Sequence, residues 1–317
     1  KGKYLGIYLG PAARPEDTLS DILPKFHKRI THWAATSLAP SQKLRVYNMF
    51  IHPLFSYFAQ FFVIPETVLS TTHAGLRRLI GGPSYWLPHQ IASRLRSHFH
   101  YPFPPRDMLS DNYAALGRGL VFLRTIPNPD RRELRQLMSH SSTTPHSICC
   151  HLHRAALLFH SHNIDLDDVM NQHLDTPSKT IHSLLYATLL SHTDTSPSSV
   201  TYISTRLARW SLPFSQTAAT YASILKPLRS LPPRVLWSFI SLLLNGWITA
   251  RRMQRDGPCL FCGTGVDSIE HFRTCGTIST VYQHYGIPHG LLLLDTPSHL
   301  HRYSLLAGHI YVHKHKS

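Results

Sequence analysis

Apolar residues along most of this chain recur with the 3.6-residue period of a helix. Leu19, Ile22, Leu23, Phe26, Ile30 and Trp33 share one face of a segment that Asp17 caps and that runs to about Ser37. Lys25, Lys28 and Arg29 occupy its other face. Pro40-Ser41 opens a second helix, with Lys43 and Arg45 in its first turns ahead of the aromatic run Tyr47–Phe62. Pro65-Glu66 opens a third, placing Leu69, Leu76, Leu79 and Ile80 inward and Arg77 and Arg78 outward, until Gly81-Gly82-Pro83 stops it. Lys3 to Gly10 is the one stretch that reads as a strand, ending at Gly10-Pro11.

Tyr101-Pro102-Phe103-Pro104-Pro105 reads as a stiff, extended connector and the best domain boundary. Helical patterns follow over 111–125, 130–140, 146–162, 178–191, 198–229 and 232–254, with a break at Thr193–Ser199. A short helix at 277–284, an apolar stretch Leu291–Leu294 and a His-rich basic tail Tyr303–Ser317, where another helix could begin, close the chain. The pattern predicts a mainly α fold in four segments: 1–100, 101–234, 235–285 and 286–317. The two most apolar stretches, Met49–Pro65 and Val235–Ala250, are shorter than the roughly 20 residues that span a bilayer and carry polar interruptions, so no membrane partner is expected.

Charge adds a partner to this picture. Lys and Arg number 32 against 17 Asp and Glu in 317 residues, a formal +15. Such an excess points to a polyanion, most often nucleic acid. Enrichment in Arg, His, Pro and Ser offers compositional drift as the other explanation.

The strongest chemistry lies near the C-terminus. Cys259, Cys262, His271 and Cys275 form Cys-x2-Cys-x8-His-x3-Cys, and three thiolates with one imidazole at that spacing can close a tetrahedron around one structural Zn²⁺. Gly263 and Gly265 supply the tight turn between the pairs. Arg251, Arg252 and Arg255 precede the motif, so the knuckle is expected to cap a basic helix. Such a knuckle serves either as a staple closing a small subdomain or as a contact to nucleic acid. The other cysteines, Cys149 and Cys150, are sequence neighbours; adjacent cysteines rarely pair, so a reducing, intracellular setting is expected, with both as helix-packing residues.

Two signatures now stand in order. Lys3-Tyr4-Leu5-Gly6-Ile7, followed by long basic helices with Trp33, Pro53 and Tyr57, resembles the segment after the polymerase palm in non-LTR (LINE-like) retrotransposon reverse transcriptases, where a Tyr-Leu-Gly strand leads into the thumb. Leu244-Asn245-Gly246 and Arg251-Arg252, ahead of Cys-x2-Cys-Gly, Glu270-His271 and Cys275, resemble the zinc-binding region of the same proteins. Three residues rather than the more usual four separate His271 from Cys275. The resemblance covers residues 3–82 and 236–276; 106–230 match only in being helical and of plausible length.

What the resemblance implies is a C-terminal fragment: end of palm and thumb (1–100), helical linker (101–234), CCHC knuckle (235–285) and basic tail. Thumb helices lie along template–primer phosphates, which casts Lys25, Lys28, Arg29, Lys43, Arg45, Arg77 and Arg78 as nucleic-acid contacts. Arg251, Arg252 and Arg255 would hold template RNA or target DNA beside the knuckle, in the nucleus. Mg²⁺ and the catalytic carboxylates belong to an upstream polymerase part. The first residues, Lys1-Gly2-Lys3, lack an initiator methionine and suit such a fragment.

No catalytic residue is expected within the chain itself. Two-metal nucleotidyl transfer needs converging carboxylates, and the sole Asp-Asp doublet, Asp167-Asp168, suits a helix N-terminus. The zinc deaminase His-x-Glu, a phosphate-binding glycine loop and a Gly-x-Ser-x-Gly elbow are all missing from the sequence. Two further classes stay open: a free-standing zinc-stabilised helical nucleic-acid-binding protein, and a helical scaffold for protein partners.

Overall fold

The structure, a computed structural model, describes residues 2–9, 13–83, 85–124, 136, 148–166, 168–169, 178–192, 199–209, 225–287 and 297–316. The described residues are mainly helical, with a single two-stranded sheet. In chain order they form β1 (Gly2–Tyr4), β2 (Ile7–Leu9), α1 (Pro15–Ala34), α2 (Pro40–Val46), α3 (Glu66–Ile80), α4 (His89–Ser93) and α5 (Leu95–Phe99). There follow α6 (Met108–Arg124), α7 (Ile148–Ser161), α8 (Ser178–His192), α9 (Ser199–Arg209), α10 (Pro233–Leu243), α11 (Ile269–Thr274), α12 (Gly276–His284) and α13 (Pro297–Lys316). Of the expected patterns, residues 130–135, 137–140, 210–224 and 291–294 lie outside the described residues, as does Asp167. No described helix is long and apolar enough to cross a membrane.

Contacts divide the chain into two compact units, each built from three stretches: 1–36, 46–79 and 106–194 in the first, 37–45, 80–105 and 195–317 in the second. The units interleave along the sequence, whereas local patterns suggest segments in series. The connector Tyr101–Pro105 ends where the chain passes from the second unit to the first.

In the first unit the expected single strand is a hairpin. Tyr4 pairs with Ile7 across a two-residue turn in which Leu5 (φ 47°) and Gly6 (φ 85°) are both left-handed, the geometry that matches strand twist. The Thr18 hydroxyl accepts from Tyr8 N (3.0 Å), holding the hairpin to α1. Asp17 does not cap that helix. It sits three residues inside and accepts from Arg14 N at 2.9 Å, the acidic half of a capping box. The aromatic run does not continue α2 either. It passes through a π-helical turn (Tyr47–Ile51) and 3₁₀ turns at His52–Leu54 and Phe58–Gln60, because Pro53 has no N–H to extend an α-helix. These turns drive Phe55, Phe58 and Phe62 into the core. Phe26 meets Phe55 edge-on, and a Cβ on Gly75 would lie 2.5 Å from Phe26 Cζ, so α3 approaches α1 only through glycine.

The buried Asn112 of α6 closes the irregular segment. Its amide donates to the carbonyls of Ala59 (2.9 Å) and Phe62 (2.8 Å), and its oxygen accepts from Ile64 N (2.9 Å). Next to it, the buried Asp111 carboxylate accepts from His52 Nε2 (2.9 Å) and the Arg106 guanidinium (2.7 Å), with His182 Nε2 at 3.6 Å. Helices α7 and α8 pack on α6 around Leu116, Phe159 and Leu185, and Cys149 and Cys150 are half-buried on α7. Asp168 lies exposed in a helical stretch with Leu166 and Val169.

In the second unit Trp237 of α10 meets Trp86 (5.5 Å) and Tyr101 (5.6 Å). The expected helix over 232–254 stops at Leu243. Asn245 turns left-handed (φ 57°), and Gly246 lies so close to Trp86 that a Cβ would be 2.3 Å from its ring. The basic tail is the helix α13, packed along α10.

Burial alone would raise the Asp111 carboxyl, but the hydrogen bond and charge of His52, with Arg106 and His182, outweigh it and hold the pKa below the usual carboxylate value. A depressed folded-state pKa gives stability that is present above the unfolded pKa and lost as pH falls through the folded one. Asp111→Asn is therefore expected to lower the denaturant midpoint at pH 7 and to flatten the fall in stability below about pH 4. Urea unfolding across pH checks both.

Candidate metal centre

The knuckle is set by its backbone before its ligands. Pro258 and Val266 form an isolated antiparallel bridge, Cys259 N donates to Gly265 O (3.0 Å), and Gly263 N donates to Cys259 O (2.9 Å). Gly263 (φ 69°) and Gly265 (φ 70°) are both left-handed. Gly265 has a second constraint, since a Cβ there would stand 2.6 Å from His271 Cε1. Ser268 caps α11 by accepting from His271 N (3.1 Å), which places the imidazole in the first turn, over the loop.

The ligand atoms of Cys259, Cys262, His271 and Cys275 all lie within 4.8 Å of one another. Cys259 Sγ is 4.0 Å from Cys275 Sγ, and Cys262 Sγ is 3.2 Å from His271 Nε2. Sulfur and nitrogen donors on bonds of about 2.0–2.3 Å around one tetrahedral ion stand roughly 3.5–3.8 Å apart. The four residues thus form one group that could hold a metal ion. Cys259 and Cys275 are buried, while Cys262 and His271 are half-buried. Hydrogen bonds from Thr264, its hydroxyl first and its backbone second, bring the Cys262 thiol down to about 6, whereas burial pushes Cys259 up.

Two residues that the sequence reading passed over hold this centre in place. The buried Asp267 carboxylate accepts from Ala250 N (2.9 Å) and from Lys314 Nζ at 2.7 and 2.6 Å. Its backbone N–H donates to Gly257 O and its carbonyl accepts from Arg251 N. Lys314, expected in a solvated basic tail, is buried beside the Phe272 ring (5.2 Å). Phe272 packs on Phe261 and Trp247, and Trp247 on Tyr311. The available signal was that Asp267 is the sole acid in the knuckle loop and that an apolar α13 face surrounds Lys314.

The arginines ahead of the motif are not on a helix. Thr249 to Arg255 form turns in which Arg252 N donates to Thr249 Oγ1 and Arg255 N to Ala250 O, after the chain has left α10. Arg251 and Arg255 are exposed, Arg252 is half-buried, and Arg251 lies 3.7 Å from Glu270. Among the other expected contacts, Lys25, Lys28, Arg29, Arg77 and Arg78 are exposed in the first unit. Arg29 also donates to the Phe50 carbonyl. Lys43 and Arg45 belong to the second unit; burial lowers the Lys43 pKa, and the Arg45 guanidinium lies on the Phe103 ring at 3.7 Å.

Fold and site together define a mainly helical protein with a Cys₃His centre. No protein-family model, curated protein or solved structure matches it.

Native mass spectrometry is expected to find one metal ion per chain, lost in Cys259→Ser and Cys262→Ser. Since protons compete for the thiolates, metal affinity should fall as pH drops. Lys314→Met, which strands the Asp267 carboxylate, should cost about 3–5 kcal/mol in urea unfolding, and adding Asp267→Asn should recover most of it.

Proposed function

We propose that this protein binds nucleic acid through phosphate contacts, on a helical frame closed by a structural zinc knuckle. We further propose that it corresponds to the thumb-to-knuckle region of a non-LTR retrotransposon reverse transcriptase. The observation that carries the reading is the closed Cys259–Cys262–His271–Cys275 donor set in a chain of formal charge +15. Three thiolates and an imidazole in a tetrahedral arrangement are a donor set suited to Zn²⁺ rather than to the hard cations that oxygen ligands select. With all four positions taken by protein, the ion has no place for substrate, so its contribution is to folding.

The family reading draws on the order of features: a Tyr-Leu-Gly-Ile hairpin running into a helix with an exposed cationic face, and the knuckle far downstream. Catalysis would belong to the palm of such an enzyme. In this chain Lys25 and Lys28 on α1, with Arg77 and Arg78 on α3, offer cations to phosphate oxygens and carry no base-reading geometry. The arginine turn, held to the knuckle by Asp267, presents Arg251 and Arg255 as a second such surface.

Fluorescence anisotropy with RNA and DNA of unrelated sequence is expected to give similar affinities that fall steeply with salt. Each phosphate neutralised on duplex DNA adds about −0.9 to the log–log slope. Reversing Lys25, Lys28 and Arg78 to glutamate should flatten that slope by about 2–3 in all. Binding that is insensitive to salt and to these reversals would overturn the reading.

A further inference from the structure

We propose that Phe50, backed by Trp33, is a stacking platform for an unpaired base of single-stranded nucleic acid whose phosphates follow the cations of α1. The inference rests on the nucleic-acid reading above and adds to it the conformation of the strand and the residue that selects it. Phe50 is 47% exposed and its neighbour Met49 is 65% exposed, whereas Phe26, Phe55, Phe58 and Phe62 of the same unit are buried and Phe122 is exposed. The Phe50 and Trp33 rings are nearly parallel, 16° apart with centroids at 6.2 Å. Trp33 lies beside Phe50 in this near-parallel arrangement, and nearly half of the Phe50 surface stays exposed.

The backbone holds that ring in place. Phe50 lies in the π-helical turn Tyr47–Ile51, a wider winding than the helix on either side. The Arg29 guanidinium, one helical turn before Trp33 on α1, donates to the Phe50 carbonyl. The platform is thus tied to the cationic face that carries Lys25, Lys28 and Arg29, and Lys25 and Trp33 are separated by about 12 Å of helix rise.

Charge chooses the occupant. No acidic residue of the first unit occurs between Asp21 and Glu66, whereas Lys25, Lys28 and Arg29 do. A flat apolar ring at the end of a cation row, in a stretch of sequence without acids, suits a ligand that is anionic along its length and presents flat aromatic faces. Nucleic acid has both properties. In a duplex the base faces are covered by their neighbours, while in a single strand they are free to stack on a side chain.

The test uses the full chain and a single-stranded oligonucleotide carrying 2-aminopurine, with a duplex of the same sequence. Wild type is expected to quench the fluorophore on binding. Phe50→Leu, which keeps an apolar side chain and removes the π face, should weaken single-strand binding between about 5-fold and 100-fold. It should leave the salt slope and the duplex affinity as they were. Phe50→Trp should retain the quenching. In case Phe50→Leu perturbs folding, abasic substitution in the oligonucleotide, tested on the wild-type chain, should weaken binding by the same factor. Salt-dependent binding indifferent to both Phe50→Leu and abasic substitution would overturn the platform and leave the nucleic-acid reading standing. Wild type that binds no nucleic acid would overturn both. Phe50→Leu that leaves nucleic-acid affinity intact and abolishes self-association in sedimentation would assign the face to a second copy of this chain.

Discussion

A carboxylate taken out of water must find a cation and hydrogen-bond donors or it unfolds its surroundings, and each unit of this protein is organised around one such group. The chain has few acids to spend, 17 against 32 lysines and arginines. In the first unit Asp111 draws together a 3₁₀ turn, the start of α6 and α8 through His52, Arg106 and His182. In the second, Asp267 joins the knuckle loop, the arginine turn and α13. Neither pair adds much over apolar packing of the same volume; what it supplies is register, because no neighbouring placement leaves the charge satisfied.

The knuckle illustrates why such a tie is needed. A loop with two left-handed glycines and a six-residue helix has little apolar surface of its own to bury. Its stability comes from the donor set on one side and, on the other, from Phe272 wedged against Phe261, Trp247 and the stem of Lys314. The donor set and the Asp267–Lys314 pair therefore constrain the same short segment from opposite ends.

What could be read in the sequence was whatever depends on near neighbours. Pro65-Glu66 and Gly81-Gly82 mark the ends of α3, and the spacing of Cys259, Cys262, His271 and Cys275 gives a donor set that the fold brings together. Reading failed where a distant partner decided the outcome. The helical pattern after Pro233 runs on past Leu243 in one dimension, yet Gly246 must stop beneath Trp86, 160 residues earlier. Lys314 counts as a solvated charge until Asp267, 47 residues away, is seen to hold it. Tyr4 to Leu9 alternates like one strand, and only the left-handed Leu5 and Gly6 fold it back. Arg251, Arg252 and Arg255 have helical spacing but lie in turns fixed by Asp267.

The interleaving of the units fixes an order of events during synthesis. The first unit has all its chain once residue 194 has left the ribosome; the second holds 37–45 and 80–105 in waiting until 195–317 follow. Trp86 and Tyr101 owe their burial in part to Trp237, which is made more than 130 residues after either of them. For the seconds that this takes at about 5–20 residues per second, the parts of their rings that Trp237 covers stay open on the nascent chain. The early part of the second unit is thus where a chaperone that reads exposed aromatics would first engage this protein.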